Sequence, residues 1–191
     1  MAETSPPLPI DKAEREQLLK LYWLEKYLFE DVHEKFERDE PIDDFDFYCI
    51  IYWKRNASKT KIQNSLKELH ITPTDLLNEV RKAETDREKL RVFRRVKHIG
   101  PAIASAILAV CYPEKYTVVD TYVLSEYNEW CQKKLKEWRC LSVNSLTDEQ
   151  YLEYNEWCKR LGDTWGKSLR DVDRILWTKA WKEGLKQSLG E

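Results

Sequence analysis

One stretch of the sequence, residues 96–123, combines residue types that could act on a phosphate-bearing substrate. A tight turn through His98, Ile99 and Gly100 precedes Pro101, whose fixed φ angle suits the first turn of a helix. Two helices joined in this way leave backbone N–H groups free at the start of the second helix. Such groups bind an anion without reading a base sequence. The spacing therefore predicts a phosphate contact at that helix start.

Asp120 is the residue of this stretch whose side chain could take part in a reaction. A carboxylate can stabilise the positive charge that develops on a sugar when a base leaves, or it can activate a water molecule. Asp120 also precedes Thr121-Tyr122-Val123, where an aspartate commonly caps the start of a helix. The two roles are compatible, and the residues by themselves leave both open.

The run H-I-G-P-A-I-A-S-A-I-L, followed by V-V-D-T-Y-V, resembles the helix-hairpin-helix and aspartate signature of one group of base-excision DNA glycosylases. That group is related to endonuclease III, adenine glycosylase and the 3-methyladenine glycosylases, and the matching motif spans fewer than thirty residues. The resemblance implies an all-α, bilobal glycosylase-like fold and a double-stranded DNA partner held mainly through phosphates. It also implies Asp120 as the catalytic residue and, as DNA-binding positions, Lys97, His98, Ile99, Gly100 and Ala102.

Two departures from the family pattern bear on the expected activity. Bifunctional members carry a lysine two residues after the last hairpin glycine, where it forms a Schiff base with the sugar, and this chain has Ala102 there. The resemblance therefore implies a monofunctional enzyme, which breaks the N-glycosidic bond without cutting the strand. His98 replaces the first glycine of the usual L-P-G-V-G hairpin, and histidine accepts a positive φ less readily. A monovalent cation at the hairpin is the one cofactor that the resemblance leaves open.

The cysteines indicate neither a disulfide framework nor a metal centre. They are odd in number, form no C-x-x-C pair and lack the spacing of the four-cysteine cluster loop found in several relatives. The five residues are Cys49, Cys111, Cys131, Cys140 and Cys158. We expect reduced thiols, no iron–sulfur cluster and no bound metal.

A glycosylase must also hold a base that has left the stack, and aromatic side chains could line that pocket. The candidates are Tyr22, Trp23, Tyr52, Trp53 and Tyr122. For each one taken alone, packing in the hydrophobic core is the competing interpretation. Lys54 follows Trp53 and could face the same cleft.

Composition and hydrophobic spacing predict an all-α fold. The chain has 191 residues and only five glycines, and apolar residues recur at three- and four-residue steps within residues 11–38. This spacing predicts an amphipathic helix that can contain one break. Pro41 ends it, and a second helix should begin at Asp43 or Asp44. Later helix starts are indicated by the capping residues Thr72, Thr85, Thr147 and Ser168. Residues 116–119 are the only strand-like run and are too short to propose a sheet.

These elements predict a single compact helical unit over residues 1–191, with the hairpin motif at 87–112. We expect two lobes, with the cleft between them near residues 98–123. The string E-Y-N-E-W-C occurs at 126–131 and again at 153–158. Two copies are too few for a solenoid, so coincidence and local duplication both remain open.

The charge of the chain is unevenly distributed. The formal net charge of −2 gives no global sign of nucleic-acid binding. Residues 30–46 hold nine acids and two bases, whereas residues 81–98 hold eight bases and three acids. This basic segment leads into the hairpin, where it could contact phosphates, although a solvated helix face is the competing interpretation.

The sequence shows no bilayer-spanning apolar stretch and no N-terminal secretory pattern. We therefore expect a soluble, cytoplasmic protein without a membrane partner, associated with the nucleoid if the source is prokaryotic. We further expect a monomer.

Two other classes of protein compete with the glycosylase interpretation. The first is a non-enzymatic helix-hairpin-helix protein that binds DNA backbone or a lesion, and His98 and Ala102 are its best support. The second is a helical interaction protein in which the hairpin is only a tight turn. Replacement of Asp120 separates the first class from an enzyme, and salt-dependent DNA affinity separates both from the second.

Overall fold

The computed structural model describes residues 23–135 and 140–190 of the chain. Among them no β-strand occurs, and the secondary structure is helical. The all-α prediction is therefore confirmed at the level of fold class. Tyr22 and the predicted helical residues 11–22 lie outside the described residues.

Ten α-helices, interrupted by two π-helical turns and one 3-10 turn, follow one another along the described residues. They are α1 (Leu24–Tyr27), a π turn (Leu28–Val32), α2 (His33–Glu37), α3 (Asp44–Arg55), a 3-10 turn (Asn56–Ser58), α4 (Lys59–Glu68), α5 (Pro73–Lys82), α6 (Asp86–Arg94), α7 (Pro101–Cys111), α8 (Thr121–Trp130), a π turn (Cys131–Leu135), α9 (Asp148–Trp165) and α10 (Leu169–Leu189).

Most of these helices start where the sequence predicts, because their caps are local. Thr72, Thr85 and Thr147 each form a capping box with the residue three positions later. Ser168 accepts a hydrogen bond from the backbone N–H of Asp171, so the shorter signal at this position also marks a helix start. The predicted first helix is interrupted, since a π turn at Leu28–Val32 separates α1 from α2.

Helix α7 forms the centre of the hydrophobic core. All its residues except Ala102 are buried, and the small side chains along it let neighbouring helices approach closely. It packs against α2, α3 and α6. A second group of contacts joins α10 to α8 and α9. The chain passes from one group to the other through residues 112–120.

Residues 116–119 are buried but belong to no sheet. Side chains supply the hydrogen bonds that a strand partner would otherwise provide. The Asn155 side chain accepts from the backbone N–H of Thr117 and donates to the carbonyl of Lys115, both at 2.8 Å. The Tyr151 and Tyr154 hydroxyls donate to the carbonyls of residues 117 and 118, and Ser105 Oγ accepts from the N–H of residue 119. Helices α7 and α9 therefore hold this segment from two sides.

The two copies of E-Y-N-E-W-C lie against each other in the structure. The Tyr127 ring centroid lies 5.2 Å from that of Trp157, and the Trp130 and Trp157 centroids are 5.8 Å apart. The asparagine of each copy also bonds to the backbone of another segment. Like Asn155, Asn128 accepts a hydrogen bond from a backbone N–H and donates one to a carbonyl, in this case both of Leu141. The repeat thus builds the contact between α8 and α9.

No helix within these described ranges combines the length and the apolar character that crossing a bilayer requires.

The paired asparagines allow a matched test of the buried segment. We expect Asn155→Ala to lower the free energy of unfolding by about 2 to 3 kcal/mol, because a buried N–H and a buried carbonyl lose their partners. Asn128→Ala removes the same two kinds of bond at a half-buried position, where water can replace them, so we expect a loss of about 1 kcal/mol or less. Urea unfolding followed by circular dichroism measures both, and equal losses would contradict this account.

Candidate functional site

Asp120 divides its two carboxylate oxygens between two tasks. It is the N-cap of α8, and Oδ1 accepts hydrogen bonds from the backbone N–H groups of Tyr122 at 2.9 Å and Val123 at 3.1 Å. Oδ2 lies 3.7 Å from Nζ of Lys54, on α3. The side chain of Asp120 is 28% exposed. The predicted cap is therefore present, and the second oxygen remains available to a ligand.

Asp120 and Lys54 lie in the wall between two cavities. The first has a volume of about 420 Å³ and is lined by Glu25, Trp53, Lys54, Val118, Asp120, Arg170, Asp173, Arg174, Trp177 and Thr178. The second, of about 570 Å³, is lined by Lys54, Arg55, Ala102, Asp120, Thr121, Leu124, Ser125, Asn128, Leu141, Ser142, Val143 and Asn144. A carboxylate and an amine are thus accessible from both sides of one partition. The second cavity also reaches the first turn of α7 through Ala102.

Charged side chains from α1 and α10 crowd the first cavity. Arg170 pairs with Glu25 at 2.9 Å and also with Asp173, while Arg174 pairs with Glu25 at 2.6 Å. Burial opposes ionisation of Glu25, yet the two arginines outweigh it and lower the pKa of this carboxyl. The guanidinium of Arg170 lies over the ring of Trp53, with 5.1 Å between its central carbon and the ring centroid.

Asp173 is the most buried carboxylate of this cluster, with 4% of its surface exposed. Burial raises the pKa of Asp173 to about 6, against the favourable charges of Arg170 and Lys54. Asp120 and Glu25 act in the same direction as burial, because further negative charges disfavour ionisation. The cavity therefore contains a carboxyl group that titrates close to neutral pH.

Lys54 is 11% exposed. Burial lowers the pKa of its ammonium group, although Asp120 and Asp173 act against that shift. A lowered pKa increases the fraction of neutral, nucleophilic amine at a given pH. Sequence reasoning could not place this side chain, because only the packing of α3 decides which of its faces meets the cavity.

The aromatic residues suggested as a base pocket lie in different places. Trp53 lines the first cavity. Trp23 is 65% exposed, and Tyr52 belongs to a separate surface groove with Phe45. Tyr122 lies edge-on to Trp177 at 5.5 Å but does not line the cavity. Adjacent helical residues point about 100° apart, and on α3 this places Tyr52 at the surface groove while Trp53 faces the first cavity.

Trp177, Arg170 and Glu25 line the first cavity without having been singled out from the sequence. Asp173 and Arg174 of α10 line the same cavity. In the sequence, these residues are marked only by the amphipathic pattern of a helix near the C-terminus. No local motif distinguishes its cavity-facing residues.

The hairpin has an unexpected backbone conformation. Its left-handed residue is His98, with φ 71°, whereas Gly100 has φ −89° and is the N-cap of α7. No side chain caps this helix start. Of the proposed DNA-binding residues, Lys97 and His98 are exposed, Ile99 is buried and Ala102 is half-buried. The side chain of Ile99 therefore faces the core, and only its backbone is placed to meet a ligand.

In the part of the chain that the structure describes, no three side chains of His, Cys, Asp or Glu are grouped so that they could hold a metal ion. Comparison with known proteins adds no assignment: no protein-family model, no curated protein and no solved structure matches the chain. The functional interpretation therefore depends on the site itself.

Asp173 should make the stability of the protein depend on pH. Its folded-state pKa of about 6 exceeds the ordinary value of 3.8, so the folded state binds this proton more tightly than the unfolded state. The resulting stabilisation is present below about pH 4 and is lost as the pH rises through 6. Relative to Asp173→Asn, we expect the wild type to lose on the order of 3 kcal/mol of unfolding free energy between pH 4 and pH 7.

Urea unfolding at several pH values measures this difference, and Asp163→Asn, at an exposed position of α9, is the control. A gap between wild type and Asp173→Asn that is constant across this pH range would show that the buried carboxyl titrates normally.

The strain at the hairpin gives a second test. His98→Gly should raise the free energy of unfolding by about 0.5 to 1 kcal/mol, because the left-handed conformation is unfavourable for histidine and not for glycine. Lys97→Gly, at the adjacent exposed position without a positive φ, should lower it by a similar amount. Thermal and urea unfolding of both variants measure the two effects. A loss of stability in His98→Gly would mean that the imidazole makes a contact that outweighs the strain.

Proposed function

We propose that this chain is a base-excision DNA glycosylase, which hydrolyses the N-glycosidic bond of a damaged base in duplex DNA with Asp120 as its catalytic carboxylate. The observation that carries this proposal is the position of Asp120 Oδ2. Oδ2 takes no part in the cap, it lies 3.7 Å from Lys54 Nζ, and Asp120 lines both cavities. A glycosylase-like, two-lobed fold belongs to the same proposal.

The partition suits a reaction at the bond between a sugar and a base. A sugar in the second cavity would lie close to the start of α7, where Ala102 lines the wall, and the base would occupy the first cavity. The first cavity, at about 420 Å³, lies within the usual range of roughly 300 to 1,000 Å³ for small-ligand pockets. The bond to be broken would then lie next to Asp120.

Asp120 would act on the charge that appears during base departure. As the bond breaks, the sugar gains oxocarbenium character, which a nearby carboxylate stabilises. The same oxygen can accept a proton from the attacking water, and loss of a positioned base typically costs roughly 10²- to 10⁴-fold in rate. Because Ala102 provides no amine at the hairpin, water is the nucleophile in this step.

The first cavity offers groups that could hold an extruded base. Trp53 and Trp177 provide aromatic surface, and Arg174 and Glu25 provide hydrogen-bonding groups for the edge of a base. Arg170 already covers part of Trp53, so stacking on that ring is limited to the area left uncovered. Extrusion of a base costs a few kcal/mol, and these contacts would offset it.

The hairpin would hold the DNA backbone. The N–H groups in the first turn of α7 have no side-chain cap, and Lys97 and His98 are exposed beside them. Backbone contacts of this kind position a duplex without specifying its sequence. The damaged base would therefore be selected by the first cavity and not by the hairpin.

One observation favours a second candidate, a helical interaction protein in which the hairpin is only a tight turn. Several bases of residues 81–98 are paired with acids of the same chain, which reduces their attraction for phosphates. These pairs are Arg81–Asp39, Arg87–Glu149, Arg94–Asp148, Arg95–Glu79 and Lys97–Glu68. An intact fold without salt-dependent affinity for DNA would agree with this candidate.

Base release from a panel of alkylated, oxidised and deaminated duplexes tests the proposal. The wild type should produce abasic sites, revealed by heat and alkali, on at least one duplex. Asp120→Asn should slow this release at least about 10²-fold, because an amide neither accepts the proton nor stabilises the positive charge. Its Oδ1 can still cap α8, so the fold and DNA binding should persist.

Asp43→Asn is the matched control, because it makes the same change at the N-cap of α3, where the residue is exposed. It should leave base release unchanged. If no duplex loses a base while both proteins bind DNA in a salt-sensitive manner, a non-enzymatic DNA-backbone or lesion-binding protein replaces the enzyme. Absence of DNA binding would leave only a helical interaction protein.

A further inference from the structure

Lys54 brings an amine to the site although it lies outside the hairpin motif. Its Nζ lies 3.7 Å from Asp120 Oδ2, and its side chain lines both cavities. Ala102, which stands at the hairpin position where an amine would be expected, lines the second cavity together with Lys54. Helix α3 therefore brings an amine to the site from more than forty residues earlier in the chain.

A structural role alone does not account well for this lysine. The close partner of Asp173 is Arg170, and Lys54 has a smaller favourable effect on that carboxylate. The distance from Nζ to Asp120 Oδ2 exceeds the roughly 2.7 to 2.9 Å of a strong charge-assisted hydrogen bond. The amine is thus enclosed without being firmly bound, in a place where a ligand could reach it.

The surroundings of Lys54 favour nucleophilic chemistry. Burial lowers the pKa of the ammonium group, Arg170 adds to that effect, and the carboxylates of Asp120 and Asp173 oppose it. A desolvated lysine near a second cation is a known setting for attack on a carbonyl carbon. If base release occurs next to Asp120, the product is an abasic sugar, whose ring-opened form carries an aldehyde at C1′.

We propose that Lys54 forms an imine with the C1′ aldehyde of an abasic site and thereby cleaves the DNA strand on its 3′ side. This inference rests on the proposed function for its substrate. It also revises the expectation of a monofunctional enzyme, which considered only the hairpin position. Base release remains hydrolytic, and strand cleavage follows as a separate reaction of the product.

The reaction balances with the groups present and water. The lone pair of Nζ attacks C1′, and loss of one water from the carbinolamine gives the imine. Asp120 Oδ2, adjacent to Nζ, then accepts the proton removed from C2′, the C3′–O bond breaks, and the 3′ phosphate leaves with its electron pair. Water finally hydrolyses the imine, which releases an unsaturated aldehyde and restores the amine.

Borohydride trapping on a duplex with a preformed abasic site tests this inference without requiring base release. Borohydride reduces an imine to a stable amine, so the wild type should become covalently attached to the DNA strand. Peptide mapping of the adduct by mass spectrometry should place the attachment on residue 54. This measurement on the wild type does not depend on whether any variant folds.

Two variants of Lys54 test whether the reaction needs its amine or only its positive charge, and a third variant is the control. Lys54→Gln removes both, and Lys54→Arg keeps a positive charge that cannot form an imine, so both should lose the adduct and the strand cleavage. Lys61→Gln removes an exposed lysine of α4 that lines neither cavity, and it should retain both reactions. Circular dichroism and binding to the abasic duplex confirm that each variant is folded.

The outcomes distinguish this inference from the proposed function. An adduct on another amine, or no adduct although the wild type binds the abasic duplex, would overturn the role of Lys54 and leave hydrolysis by Asp120 untouched. An adduct on residue 54, with no base release from any damaged duplex, would support the amine chemistry and overturn the glycosylase. Failure to bind the abasic duplex would overturn both.

Discussion

The structure depends on satisfying the buried backbone of residues 116–119. A segment that is buried and belongs to no helix or sheet would leave several N–H and carbonyl groups without partners, at a cost of roughly 1 to 3 kcal/mol each. Asn155, Tyr151, Tyr154 and Ser105 remove that cost by bonding the segment from α9 and α7. Because Asp120 follows directly, the same bonds determine where its carboxylate lies.

Buried charged side chains are clustered where the two groups of helices, one around α7 and one around α10, meet. Glu25, Arg170 and Asp173 form one network, and Lys54 and Asp120 lie beside it. Buried ion pairs seldom increase stability over apolar packing, since desolvation of both ions opposes their attraction. A cluster of shifted pKa values around a cavity is more typical of a functional site than of a structural one. The chemistry proposed here uses both the carboxylate and the amine of this cluster.

The sequence motif and the folded structure differ in where they place an amine. The resemblance of the hairpin to the glycosylase pattern would place a lysine two residues after its glycine, and Ala102 stands there instead. In the folded chain Lys54 reaches the same cavity from α3. A reacting atom responds to distance and direction alone, so the helix that supplies a group is chemically irrelevant. Absence of a residue from a motif is therefore weak support for absence of its chemistry.

The sequence by itself determined the features that depend on residues close along the chain. Thr72, Thr85 and Thr147 cap their helices as predicted, and Asp120 caps α8, because each cap joins groups two or three residues apart. Only the tertiary structure decided that positions 25, 54, 120 and 173 surround one cavity, and that His98 carries the positive φ of the hairpin. Helical periodicity shows that a helix has two faces, but the face that meets a cavity is chosen by packing between distant helices, which local spacing does not record.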